Sequence, residues 1–211
     1  MRVLVATMNA GKMAEYERLL ADVPELELES MASLPKRIEV VEDRDTFYGN
    51  ALKKATEIAA VAGIACLADD SGLEVDTLDG RPGVYSARYA GEGASDAQNN
   101  SRLLGELSRV ADNERTARFR CAIVVVDGDG RELATAEGRC QGRISQEPKG
   151  IHGFGYDPLF VPDGYTQTMA ELGPETKNKI SHRANAAAKL ALLLREDEVV
   201  SLLSKGSGKT F

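Results

Sequence analysis

The chain has 211 residues, 43% of them hydrophobic and 28% charged, a composition that excludes a disordered or fibrous protein and is ample for a buried core. Lys and Arg number 26 against 33 Asp and Glu, a formal net charge of −7, which excludes the broadly basic surface a nucleic-acid backbone binder needs but leaves room for a local basic pocket and a small phosphorylated ligand. No apolar run approaches the roughly eighteen residues of a membrane span and Met1–Ala6 is too short for a signal peptide, so a cytoplasmic protein with neither membrane nor nucleic-acid partner is expected.

In chain order, Arg2–Ala6 reads as a strand, and Met13–Leu20 as a helix whose Met13, Tyr16, Leu19 and Leu20 share a face. A second strand is expected over Glu25–Ser30, and the polar stretch 33–45 around Ile38-Glu39-Val40-Val41 takes no assignment. Thr46 is placed to cap a helix over Phe47–Ala62, with Ala51, Leu52, Ala55, Ile58, Ala59 and Ala62 inward and Asn50, Lys54 and Glu57 on the opposite, polar side. The apolar run Ile64–Ala68 reads as a strand that stops at Asp69-Asp70, with Ser71-Gly72 suited to a tight turn. Turn signals crowd 74–95, a helix is expected over Asp96–Leu107, and Asp127-Gly128-Asp129-Gly130 makes a hairpin between strands Phe119–Val126 and Glu132–Glu137. Residues 143–162 read as glycine-rich and irregular, Ala184–Leu194 as a helix, and 204–211 as a flexible tail. With no repeat and no linker, the order β-α-β-α-β-α-β-β-α predicts one α/β domain with some antiparallel pairing. The three widely spaced cysteines, Cys66, Cys121 and Cys140, read as free thiols, and two histidines without a CxxC pair argue against zinc.

Four segments carry chemistry. Thr7-Met8-Asn9-Ala10-Gly11-Lys12, between a strand and a helix, offers backbone N–H groups and a mobile cation to phosphate. It is not a Walker A loop, for the leading glycine is missing and Met13 stands where a magnesium-holding hydroxyl belongs; a capped helix start with an exposed lysine is the plain alternative. Asp69-Asp70 is either a solvated turn or one wall of a metal site, and in extended backbone only one of the two faces a given pocket. Gly153-Phe154-Gly155-Tyr156-Asp157-Pro158 suits a loop that packs a flat ring while backbone groups read its edge, or an ordinary turn with its aromatics turned inward. Lys177 and Ser181-His182-Arg183 form a basic cluster at a helix start, and His152 reads as loop filler. Together, acids for a hard metal, a phosphate loop, basic points and an aromatic-glycine loop describe a nucleoside triphosphate site.

These segments resemble the inosine triphosphate pyrophosphatase family, also called XTP/dITP diphosphatases. The likeness runs from Val3 to about Leu194 and is carried by TMNAGK (Thr7–Lys12), TFYGNALKKA (Thr46–Ala55), LADDSGLEVDTLDGRPGVYSARYAG (Leu67–Gly91), GFGYDPLF (Gly153–Phe160) and KNKISHR (Lys177–Arg183). The resemblance implies an elongated α/β fold of two lobes around a nucleotide-binding cleft, usually a homodimer. It implies magnesium-dependent hydrolysis of dITP, ITP and XTP to the monophosphate and pyrophosphate, with manganese a possible substitute, removing deaminated purines from the nucleotide pool. By the same resemblance Asp70 is the proton acceptor and, with Glu42, the metal site. Thr7, Met8, Asn9, Ala10, Gly11, Lys12, Asn50, Lys54 and Ser71 lie along phosphate and sugar, Lys177 meets phosphate, and Phe154, Gly155, Tyr156, Asp157, Ser181, His182 and Arg183 surround the base. Arg183 or backbone N–H groups of the FGYD loop are the expected readers of the 6-oxo group.

One position departs from the family pattern. A glutamate usually stands three residues after the threonine, where this chain has Gly49; the capping box is lost there, and metal coordination has to lean on Glu42, Asp70 or water. The rival readings are a pyrophosphatase for a pyrimidine triphosphate and a nucleotide-binding protein without turnover.

Overall fold

Successive strand residues point to opposite faces of a sheet, and the first strands are apolar on both. In β1 (Arg2–Val5), Val3 and Val5 enter one buried cluster while Leu4 enters another; β3 (Cys66–Val75) divides Leu67 from Cys66 and Ala68 in the same way, and β4 (Thr116–Val126) divides Ile123 and Val125 from Val124 and Val126. A sheet apolar on both faces needs cover on both. One face packs on α1 (Ala10–Leu19), α5 (His182–Leu193) and α6 (Asp197–Gly206) through Met13, Tyr16, Leu190 and Leu203, the other on α2 (Phe47–Ala62) through Ala51, Ala55, Ile58 and Ala59.

The computed structural model describes residues 1–34 and 38–206. Besides the elements above it contains β2 (Glu27–Ser30), α3 (Asp96–Glu106), β5 (Glu132–Ile144), β6 (Phe160–Pro162) and α4 (Met169–Ile180). The sheet is six-stranded in the order β2-β1-β3-β4-β5-β6, with β1 parallel to β2 and β3, and β6 antiparallel to β5. The expected mixed α/β class is the one observed. Two compact units divide the chain: Met1–Asp70, Cys121–Gly138 and the segment from Ala186 form the first, Ser71–Arg120 and Arg139–Asn185 the second. The second unit has its own core, in which Leu73, Val75, Leu103, Phe119, Ile144, Tyr156 and Phe160 are buried.

The helix over 47–62 has the predicted bounds, because small and apolar residues recur at helical spacing and Thr46 accepts the Gly49 N–H at 3.0 Å as its N-cap. Thr46→Ala is expected to cost about 1 kcal/mol of stability, read by urea unfolding. The Asp127–Arg131 hairpin also forms, closed by the Asp127 N–H on the Arg131 carbonyl at 2.9 Å.

Three expectations are corrected. Ser71-Gly72 is not a turn: β3 runs on to Val75, since Leu73 and Val75 are fully buried in the second unit and the acids are met sideways by helix side chains. β5 runs past Glu137 to Ile144, where Gly142 takes an inward place that a Cβ would bring to 2.3 Å of the Val161 carbonyl oxygen; the glycine marks close approach, not a break. Helices α4 and α6 were unforeseen; α4 opens on a Thr168–Glu171 capping box and is kinked at Gly173-Pro174. The backbone of α6 covers residues 204–206 of the expected tail, and 207–211 lie outside the described residues. The three cysteines are free and buried, and among the described residues no helix is long and apolar enough to cross a membrane.

Candidate functional site

In the first unit, strand alternation sends the two acids of β3 to opposite faces. Asp69, on the face of Leu67, meets Lys12 of α1, whose Nζ donates to both carboxylate oxygens at 3.2 Å. Asp70, on the face of Ala68, meets α2, where the Asn50 amide donates to its Oδ2 at 2.9 Å. Both acids are buried, Asp69 at 2% and Asp70 at 8% exposure. Asn50 is fully buried, not on the polar side with Glu57: its oxygen accepts the Arg44 N–H at 2.8 Å, so one amide holds Asp70 and fixes the segment that carries Glu42. A polar residue can lie on the inward face of α2 because both ends of its amide are used.

Lys54, one turn along α2, closes the cluster with its Nζ 2.5 Å from Glu42 Oε1. Burial opposes its charge, yet the carboxylates of Asp69, Glu42 and Asp70 outweigh that and raise its ammonium above the ordinary lysine value. Burial first, then the negative charge of Glu42, pushes the Asp70 carboxyl up to about 6, against the opposing pull of Asn50 and Lys54.

The strand-to-helix loop is half committed to its own structure. Asn9 caps α1, its Oδ1 accepting from Gly11 and Lys12 N–H at 2.8 and 3.1 Å, and Thr7 Oγ1 accepts the Asn9 N–H at 3.1 Å. Met8 is exposed in the loop and Ala10 and Gly11 in the first turn of α1, while Thr7 is buried.

In the second unit the aromatic-glycine loop is held from inside. Asp157 Oδ2 accepts the Phe154 N–H at 3.0 Å and pairs with Lys177 Nζ at 2.5 Å, both side chains buried. Gly153, at φ +81, cannot be replaced, since a Cβ there would lie 2.0 Å from that same oxygen. Tyr156 is buried and its hydroxyl donates to the Ser86 carbonyl at 2.9 Å, leaving Phe154, 41% exposed, as the ring on offer. Lys177 Nζ sits 4.3 Å from the Phe154 ring centroid and Arg183 Cζ 5.8 Å. Arg183, only 1% exposed, donates to Ser71 Oγ at 3.2 Å. Ser181 caps α5 by accepting the Ala184 N–H at 3.1 Å, and His182, inside the helix rather than before it, stacks on Phe119 with centroids 4.8 Å apart. The Phe154, Gly155 and Asp157 N–H groups are taken by Asp157, Asp96 and Phe154 in turn. Asp96 and Asn100, which reach Gly155 from α3, were missed; the sequence signal was their i,i+4 spacing behind the Ser95–Gln98 capping box.

The Ham1 family model matches residues 3–192. This chain belongs to the Ham1 family. Among its relatives, the dITP/XTP pyrophosphatase of Geobacter sulfurreducens is 51% identical over 189 residues, 90% of this chain and 94% of that one. The dITP/XTP pyrophosphatase of Desulforamulus reducens is 50% identical over 92% of this chain and 96% of its own. Among solved structures, a HAM1 protein from Coxiella burnetii superposes with TM-score 0.83 at 37% identity, covering 92% of this chain and 98% of that one. This Ham1 chain thus matches its relatives nearly end to end.

Proposed function

We propose that the chain hydrolyses dITP, ITP and XTP to the monophosphate and pyrophosphate. The observation that carries the reading is the buried Asp70 carboxyl, oriented by Asn50 and pushed up to about 6 beside Glu42 and Lys54. Buried and held in one orientation by Asn50, that carboxylate is placed to act as a general base. It accepts a proton from water as the water oxygen bonds to the α-phosphorus and the bond to the β-phosphate oxygen breaks, releasing pyrophosphate. Asn50 keeps Asp70 aimed, Lys54 and Lys12 offset phosphate charge, and the Phe154 ring with Arg183 addresses the base. Relatives of 50% and 51% identity named dITP/XTP pyrophosphatase support the substrate class.

The residues also fit a divalent ion. Among the described residues no three His, Cys, Asp or Glu gather as a complete metal cluster, but magnesium commonly takes one or two carboxylates and fills its shell with water and phosphate oxygens. Asp70 and Glu42 supply such a pair, and the mutual repulsion that helps raise Asp70 is what a cation relieves. When bound, the ion neutralises charge on the phosphate oxygens. A homodimer is part of the same proposal, checked by sedimentation velocity.

Pyrophosphate release from dITP, XTP, dATP, dGTP and dUTP, with and without magnesium, tests the reading. Magnesium-dependent turnover of dITP and XTP well ahead of dATP is expected. A preference for dUTP, or tight nucleotide binding without turnover, overturns it.

A further inference from the structure

Gly155 is gripped by one helix at both its backbone groups. Asp96 Oδ2, in the first turn of α3, accepts its N–H at 2.6 Å, and one turn later Asn100 Nδ2 donates to its carbonyl oxygen at 3.1 Å. Neither residue lies in the segments that carry the family resemblance. We propose that Asp96 and Asn100 are positioning residues for base recognition, fixing the two peptide units that flank Gly155, next to Phe154, so that its ring is presented in one orientation. This rests on the reading of Phe154 as the ring that meets the purine.

Gly155 lies at φ +61 and Gly153 at φ +81, and a loop with two such glycines has many conformations to lose. Tyr156 and Asp157 anchor its C-terminal side through Ser86 and Lys177. The Asp157 N–H on the Phe154 carbonyl at 3.3 Å already holds the peptide unit before Gly155. The Asp96 acceptor and the Asn100 donor, at i and i+4 of one rigid helix, hold the units before and after it together and so fix the φ and ψ of Gly155 between them. The helix itself is held firmly. The Ser95–Gln98 capping box closes its start, Asn99 accepts the Ala90 N–H at 2.8 Å and donates to the Ala87 carbonyl at 3.1 Å, and Leu103 is fully buried. Asn100 is 9% exposed and its hydrogen bond to Gly155 is largely shielded from water, whereas Asp96 is exposed and contributes through charge on the N–H.

The variants are Asp96→Ala, Asn100→Ala and the conservative Asp96→Asn, which keeps an acceptor. Hydrogen exchange on the nucleotide-free protein comes first: the peptide covering 153–157 should exchange on the order of tenfold faster in both alanine variants and close to wild type in Asp96→Asn. Inhibition of dITP hydrolysis by dIMP and by pyrophosphate comes second. The dIMP constant should weaken about tenfold in the alanine variants while the pyrophosphate constant moves less than about twofold, with dITP-over-dATP preference falling alongside. Unchanged exchange in the loop overturns the clamp. Faster exchange with equal losses for dIMP and pyrophosphate overturns its role in base recognition. Wild-type protein that leaves dITP untouched fails the functional reading instead, and the exchange result still decides the clamp.

Discussion

Asp70→Asn is expected to abolish turnover and yet make the metal-free protein more stable at neutral pH. The loss follows from the proton: an amide cannot take it from water, and removal of a general base commonly costs two to four orders of magnitude, so kcat for dITP should fall at least about a hundredfold. The gain follows from the same burial. The folded protein holds the Asp70 proton at about 6, against an ordinary value of 3.8. Between those values the folded state binds more protons than the unfolded one, so this group's contribution makes stability fall as pH rises from about 4 to about 6. Above that window the folded state carries the full cost of a buried anion beside Glu42, about 3 kcal/mol before metal relieves it. Asparagine removes most of the cost but weakens the charge-assisted bond from Asn50, leaving a net gain of about 2 kcal/mol at pH 7.5, or roughly 5 °C in Tm. Calorimetry in EDTA at pH 5, 6 and 7.5 checks this: the variant's advantage should grow with pH. A variant that melts below wild type at pH 7.5, or that keeps turning over dITP, removes Asp70 from the role.

The sequence made the alternation of β3 legible, and with it the separation of Asp69 from Asp70, because a two-residue period needs no knowledge of the neighbours. It also made α2 legible, because alanines at helical spacing can be buried only one way. What it hid were positions whose meaning lies in a partner distant along the chain. Asn50 reads as a surface amide until Arg44 and Asp70 are known to occupy its two ends. Lys12 reads as a free phosphate-holding cation until Asp69 is found beneath it. The strand over Glu132–Glu137 reads as ending there until Gly142, with Val161 against it, is seen to carry it on. The missed α4 is of another kind: its N-terminus is marked by a Thr168–Glu171 capping box, but Gly173-Pro174 interrupts the helical pattern inside it.

Lys177→Met should destabilise the protein by about 3–5 kcal/mol, the cost of leaving a buried charge without its partner. The pair it breaks is well shielded, with side-chain exposures of 10% for Lys177 and 3% for Asp157 and a separation of 2.5 Å. After the change Asp157 retains one charge-assisted bond, from the Phe154 N–H at 3.0 Å, which is too little to hold an anion so removed from water. The cation 4.3 Å from the Phe154 ring centroid is lost as well, so KM for dITP should rise together with the fall in stability. A second substitution separates the two effects. In Asp157→Asn/Lys177→Met no carboxylate is left unpaired, and most of the lost stability should return, while the ring still lacks its cation and KM stays high. Urea unfolding of the four proteins of this cycle measures the coupling. If the single variant loses less than about 1 kcal/mol, the pair is solvated in practice, and Lys177 is held in place for its ligand rather than for the fold.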